Sequence, residues 1–541
     1  MNRKLIEKAD SILAGEKGTV FKDPGGKISV CLVYPNTYHV GMSNLGFQGI
    51  YGLLNSRNDV VCERAFLPDD ADIGEYRRTA TPVFSLESKK PLNNFDIVAF
   101  SLSFENDYPN ALRILSLSNI PFKAGERGDY MPLIVAGGVC VSFNPEPMAP
   151  ALDIIFIGEA EESLKEFMDI CKRTRSRSDV LARAAQISGV YVPSAYEVNY
   201  GDGGKISRTA KHGAPEIVRK RYIKDLSLTS LSTTVLTSQT EFSGMHLIEI
   251  MRGCPWSCRF CLVGNFFNPP RKKDIEQVTK EVEDGKRVAE KIGIIGPSLS
   301  DYPRISEVLC MEGVQFSITS LRASSRSAEL VALLKGHKSV SIAPEAGTDR
   351  LRKVINKQVT EQDILTTARL LFETGIETLR LYFMIGLPAE TDEDIAGIIE
   401  LAKKIRSLDN RPGIVLSIST FIPKPFTPFQ WHPMERLDPV KRKIRLIKKS
   451  LETKGIKVFH DVPKYAHMQG LFSLGDQRIF PVIERMVETD DYRKACADEG
   501  IDMAYYIFRQ RPLDETLPWD FIDIGVAKEK IWVEYLKAVA V

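Results

Sequence analysis

Cys254, Cys258 and Cys261 crowd into one short segment, Arg252-Gly253-Cys254-Pro255-Trp256-Ser257-Cys258-Arg259-Phe260-Cys261, at spacing C-x3-C-x2-C. Thiolates are soft ligands that suit iron–sulfur clusters or zinc. A structural zinc site closes its tetrahedron with a fourth Cys or His. Here no further cysteine lies close in sequence, and the nearest histidine is His246. Three thiolates on a cubane leave one iron open to a cofactor or substrate, and Gly253 and Pro255 bend the chain as a loop around a cluster requires. A zinc knuckle completed from afar, or three core cysteines, are the competing readings. The other cysteines are scattered, which is not the dense pattern of a disulfide scaffold.

The cluster segment follows a strand candidate, His246 to Ile250. Five more apolar runs follow it: Ile292 to Ile295, Gln315 to Ile318, Val340 to Ala343, Leu379 to Ile385 and Val415 to Ile422. Helix candidates such as Glu361 to Thr374 lie between them, and several runs end in Gly or Pro. Repeated βα units with such loops predict a partial (β/α)6 barrel. Before it, Ile28 to Tyr34, Ile97 to Leu102, Leu133 to Ala136 and Ile154 to Ile157 alternate with helix candidates. Continuous apolar strands between helices imply a parallel sheet covered on both faces. The fold class is therefore α/β. A doubly wound, Rossmann-like N-terminal domain spans 1–195, a linker 196–243, the barrel 244–460 and a small, mainly helical C-terminal region 461–541.

C-x3-C-x2-C with an aromatic before the last cysteine, Phe260, resembles the signature of the radical S-adenosylmethionine (SAM) superfamily. The resemblance implies a [4Fe-4S] cluster on Cys254, Cys258 and Cys261, with SAM on the open iron. One-electron cleavage of SAM then yields a 5′-deoxyadenosyl radical that abstracts hydrogen from substrate. Phe260 would pack on the adenine side. The turn that usually reads Gly-Gly-Glu is Gly296-Pro297-Ser298 here, so the SAM amino group falls to Gly296, Ser298 and backbone carbonyls. The resemblance gives Glu345 to the ribose hydroxyls, Lys357 or Arg352 to the SAM carboxylate, and Gly386 to adenine. Ser320 and Arg322 are further candidates, while Arg350 reads as surface charge.

The two-domain order resembles the cobalamin-binding class of that superfamily. Ser101, Ser103, Gly137, Gly138, Gly158 and Glu159 would surround the cofactor's nucleotide tail, where small residues allow close backbone approach. The D-x-H-x-x-G motif of histidine-ligated cobalamin domains is absent: the first strand leads to Asn36-Thr37-Tyr38-His39-Val40-Gly41. Over nearly the whole chain the match is to a little-characterised group of bacterial radical SAM proteins, through Tyr34 to Tyr38, Pro344 to Gly347 and Pro518 to Gly525. The loops after strands four and six also resemble tRNA methylthiotransferases, but the three extra N-terminal cysteines of those enzymes are missing as a group.

The chain has 541 residues, too many for a single core. A net charge of +2 gives no general argument for nucleic acid, yet leaves a local basic patch open. Neither a signal peptide nor an apolar run of spanning length is present, so the expected location is the cytoplasm. The helix around Val440 to Leu451 is basic and amphipathic, read as core-facing with a solvated charged face. The expected function is cobalamin-dependent radical SAM methylation of an unactivated centre. Its alternatives are cobalamin-independent modification of RNA, protein or a small molecule, and a non-enzymatic iron–sulfur protein. A radical SAM enzyme also implies an electron donor such as flavodoxin or ferredoxin.

Overall fold

The computed structural model describes all residues except 1, 175, 202–204, 212, 319–320, 335, 337 and 541. Ser320 therefore lies outside the described residues. Strand β1 (Ile28–Tyr34) is buried along its whole length, as its unbroken apolar run requires, and runs parallel to β2 (Val60–Phe66) and β3 (Ile97–Ser101). The sheet continues through β4 (Leu133–Gly137) and β5 (Ile154–Phe156) to a short antiparallel strand, β6 (Val190–Tyr191). Its order is β2-β1-β3-β4-β5-β6. Strand addition reverses between β1 and β3, and such switch points open a crevice at the carboxyl ends of the strands. Helix α1 (Leu45–Asn55) is capped by Asn44, whose side chain accepts from Phe47 N–H at 2.9 Å. Helices α2 (Tyr108–Leu117) and α3 (Ala160–Arg173) complete the covering layers.

The segment predicted as a linker contributes short pairings instead of one sheet. Tyr196–Tyr200 and Ile206–Ala210 form a hairpin, and Val218–Arg219 runs parallel to Ile522–Asp523. Leu236–Thr237 pairs with Glu16–Lys17. Leu231 lies so close to α1 that a Cβ at Gly49 would sit 1.9 Å from its Cδ1.

All six expected barrel strands are present: β7 (His246–Glu249), β8 (Lys291–Ile295), β9 (Gln315–Ile318), β10 (Ser339–Glu345), β11 (Thr378–Ile385) and β12 (Gly413–Thr420). A seventh, β13 (Ile456–His460), adds to β12 in parallel. The strands form two parallel sheets, β7-β8-β9 and β10-β11-β12-β13, joined by a bridge between Leu321 and Ile342. Burial alternates strictly along β11. Leu379, Leu381, Phe383 and Ile385 join the core under the helices, which leaves Arg380, Tyr382 and Met384 to the barrel interior. A short helix α4 (Leu262–Asn265) follows the cysteines, α5 (Asp349–Val354) follows β10, and α6 (Leu437–Glu452) packs outside β13.

The C-terminal region is helical, as expected, and shares a hydrophobic core with the N-terminal sheet. Asn144 donates to the carbonyls of Ser473 and Gly475 at 3.0 and 2.8 Å, fixing the end of α7 (Pro463–Leu474) to that domain. The last helix, α8 (Lys528–Val539), returns to the barrel.

Candidate functional site

The cysteine loop begins where Met251–Arg252 pairs with Arg271–Lys272. Gly253 has φ +75°, and a Cβ there would meet the Phe267 carbonyl at 2.4 Å, so only glycine starts this loop. The loop then folds on itself. Cys258 N–H donates to Trp256 O at 3.0 Å and Cys261 N–H to Cys258 O at 3.1 Å. The Asn265 side chain donates to the carbonyls of Cys258 and Cys261 at 3.0 and 2.7 Å. Backbone N–H groups of Val263 and Gly264, in the first turn of α4, point at the Cys261 sulfur, and that of Trp256 points at Cys254.

Those donors favour thiolate, yet burial outweighs them. All three thiols are held above their ordinary range, Cys258 at about 11. Metal binding displaces such protons. Among the described residues no three His, Cys, Asp or Glu side chains converge as the ligands of a single ion. A cubane makes a different demand, because each thiolate binds a different iron. The donor set of three soft sulfurs, with N–H groups aimed at two of them, fits a [4Fe-4S] cluster.

The loop is held from outside by Arg259. Its guanidinium donates to the carbonyls of Lys353 and Val354 at the end of α5, at 3.0 and 2.8 Å, and meets Glu534 of α8 at 3.1 Å. Asn356 donates to Ser257 O at 2.8 Å. The thiols and the end of β10 are thus fixed relative to one another.

Glu345 ends β10 with φ +66° and accepts from Lys357 Nζ at 3.1 Å, and both charges act on Cys258. The two residues assigned to different parts of SAM therefore form one pair. Arg352 is placed differently from expectation. It is fully buried, and its guanidinium is engaged by Asp349 at 2.8 Å and Ala346 O at 2.5 Å. Arg322 stacks over Trp256 at 3.6 Å. Ser298 donates to Asp301 at 2.6 Å, and Phe260 packs half-buried against the larger core. Gly386, with φ +79°, donates its N–H to Glu390 at 3.0 Å.

A cavity of ≈ 990 Å³ runs from the face of the N-terminal sheet, between α1 and α3, to the cysteine loop at Arg252 and Gly253 and on to Gly296. Ser101, Ser103, Gly137, Gly138, Gly158 and Glu159 all line it. Their roles differ. At Gly137 an added Cβ would meet only the Phe156 Cβ, at 3.8 Å, so the cavity opens there. Gly158 is required by the fold, because a Cβ would strike Arg221 O at 2.2 Å. Sequence reasoning missed Gly46, Gly49 and Gly52, which line the same cavity from α1. Each glycine inside a helix costs about 1 kcal/mol relative to Ala, so three at a spacing of three were the available signal.

Where the cavity reaches the cysteine loop its wall is an ion-pair array. Glu159 is gripped by Arg271 at 2.7 Å and Arg252 at 2.9 Å, and accepts from Ile223 N–H at 2.8 Å. Arg252 also meets Glu161 at 2.9 Å and Glu249 at 2.6 Å. Lys220, drawn down to about 8 by burial, donates to the carbonyls of Phe266 and Asn268. Glu159 is therefore a strut between domains as well as a lining residue.

Residues 248–402 match the family model described as the Radical SAM superfamily, and residues 46–193 match that of Radical SAM proteins, N-terminal. An uncharacterized protein of Methanocaldococcus jannaschii is 32% identical over 83% of this chain and 89% of its own length. An uncharacterized methyltransferase of Pyrococcus horikoshii is 23% identical over 50% of this chain and 58% of its own. The tRNA-2-methylthio-N(6)-dimethylallyladenosine synthase of Clostridium beijerinckii is 24% identical over 29% and 39%. Among solved structures, the cobalamin-dependent S-adenosylmethionine radical enzyme OxsB with aqua-cobalamin and S-adenosylmethionine bound aligns at 15% identity and TM-score 0.49, over 90% of this chain and 64% of that one. Among the described residues, no helix is long and apolar enough to cross a membrane.

Proposed function

The chain belongs to the radical SAM superfamily, and from that premise we propose that it is a cobalamin-dependent methylase of an unactivated carbon or phosphorus centre. The observation that carries this reading is the cavity. It begins on a glycine-rich sheet face at a topological switch point and ends at the cysteine loop. The open flank of Gly137 fits a cofactor whose tail lies along backbone.

A [4Fe-4S] cluster with SAM would supply one-electron radical chemistry there, and cobalamin would supply methyl transfer. The chain's own residues have distinct tasks. Cys254, Cys258 and Cys261 would hold the cluster, and Arg259 and Asn265 keep their loop in shape. Lys357 offers a cation beside Cys258 that would hold the SAM carboxylate, and its partner Glu345 would take the ribose hydroxyls. Since the Arg352 guanidinium is buried and engaged, Lys357 takes the carboxylate role. Gly296 and Ser298 would serve the SAM amino group, and Gly386 and Phe260 the adenine. Ser101, Ser103, Gly137 and Gly138 border the tail slot. Among the described lining residues there is no histidine, consistent with the absent D-x-H-x-x-G motif.

Anaerobic reconstitution with iron, sulfide, SAM, hydroxocobalamin and a reductant tests the reading. Stoichiometric cobalamin uptake in the visible spectrum is expected, with both 5′-deoxyadenosine and S-adenosylhomocysteine formed. Deoxyadenosine without cobalamin uptake sinks the cobalamin half and keeps the radical SAM half.

A further inference from the structure

The open side of the barrel is bounded by its last strand, β13, which among the described residues has no partner on its outer edge. Ile456 and Val458 pack under α6, so Lys457 and Phe459 face the barrel interior. In register, Arg380 pairs through Val415 with Lys457, and Tyr382 through Ser417 with Phe459. Strands lie about 4.8 Å apart, so each of these pairs spans roughly 10 Å. The inner face thus carries a cationic row and, one layer nearer the loops, an aromatic row. Among the described residues, none of these four side chains has a hydrogen bond or ion pair in the structure. Phe459 is 56% exposed, a cost that a stacking partner would remove.

Just outside the same edge, α6 reads LDPVKRKIRLIKKSLE. Lys443 turns inward to Glu390 and Glu435, and Lys448 meets Glu452 at 3.7 Å. Lys441, Arg442, Arg445 and Lys449 remain exposed and make no ion pair among the described residues. The chain as a whole is almost neutral, at +2, so this is a local concentration of charge. An unpaired basic face leading over an open edge to a cationic and aromatic lumen is the chemistry that grips a phosphate backbone and stacks a base.

We infer that the substrate is RNA, bound by its backbone along α6 with one base inserted over β13 between Tyr382 and Phe459. Arg380 and Lys457 meet the flanking phosphates. This rests on the radical SAM reading of the barrel and leaves the cobalamin question separate.

The test uses the reconstituted holoenzyme and fluorescein-labelled bulk tRNA, read by anisotropy across a salt series. Binding should weaken steeply with salt. The variant R442E/R445E/K449E should lose about tenfold or more in affinity and flatten the salt slope. R77E/K494E/K530E, an equal charge change elsewhere, should stay within about twofold, and R442K/R445K/K449R should bind as the parent does. RNA carrying 4-thiouridine should photo-crosslink to residues 378–385 or 456–460. Unchanged affinity in the triple reversal, or crosslinks confined to other elements, overturns the inference. So does salt-dependent binding to phosphatidylserine vesicles with none to RNA. Deoxyadenosine production in a preparation that ignores RNA would sink this inference alone, and its absence would sink the radical SAM reading instead.

Discussion

Arg252 stands two residues before the first cluster cysteine and closes its guanidinium on Glu159 of the N-terminal domain at 2.9 Å. The contact joins the head of the cysteine loop to the rim of the cavity, and Arg271 grips the same carboxylate from the returning strand. Removing Arg252 leaves Glu159 with Arg271 but strips Glu249 of its partner, and stranding a charge in a buried pair costs up to about 3–5 kcal/mol. Arg252→Ala should therefore lower the thermal transition and reduce iron retained after gel filtration. Glu159→Gln should do so more mildly, because the amide still accepts. Unchanged iron content in both variants would show that the latch does not hold the loop.

The cysteines should divide sharply in their effect on iron. Cys254→Ala, Cys258→Ala and Cys261→Ala should each lose most bound iron, the broad absorbance of the cluster and deoxyadenosine formation. Cys310→Ala and Cys496→Ala should keep all three, since both are free thiols outside the C-x3-C-x2-C loop. Iron near four per chain in the parent protein is expected; eight would point to a second cluster.

Gly137 offers a way to fill the cavity without disturbing the backbone. Its φ is not in the left-handed region, and an added Cβ meets only Phe156 at 3.8 Å. Gly137→Val continues β4 with a good strand former while projecting two methyl groups into the slot. Iron content and thermal transition should be kept, and cobalamin uptake should fall by about tenfold or more, a loss of about 1.4 kcal/mol per decade. Uptake equal to the parent would place the cofactor elsewhere.

Much of this was legible in the sequence, for identifiable reasons. The cysteine loop is contiguous, so its ligands need no tertiary knowledge. Six barrel strands declare themselves as apolar runs, several closed by Gly or Pro. β13 does not, because Ile456-Lys457-Val458-Phe459-His460 is short and carries charge on its inner face. The glycines of α1 are legible in the sequence only as part of a helix, because what packs on them, Leu231 at Gly49 and Thr234 at Gly52, comes from far along the chain. The struts were out of reach altogether. Arg252 and Glu161 are separated by 91 residues, and Arg259 and Glu534 by 275. Only the packing of domains puts such pairs together, and the same packing commits Glu159 to structure, whereas Arg352 is engaged locally by Asp349 and Ala346.

Acid stability should report on His432. Its Nδ1 lies 3.3 Å from the Tyr535 hydroxyl, between the rings of Phe421 and Tyr535, and burial draws its pKa from 6.5 down to about 4. Between those values the unfolded chain binds a proton that the folded chain does not. Stability from this group is therefore complete above about pH 6.5 and is lost as pH falls toward 4, by at most roughly 3 kcal/mol. Asp107 acts with the opposite sign. Burial pushes its carboxyl up to about 6, so the folded state takes up the proton first and gains stability on acidification. The two contributions oppose each other, so the parent's own profile isolates neither. His432→Phe removes one of them. Relative to the parent, the variant should gain in denaturant midpoint steadily from pH 6.5 to 4.5; a difference that stays constant with pH would mean that the buried imidazole is not the source.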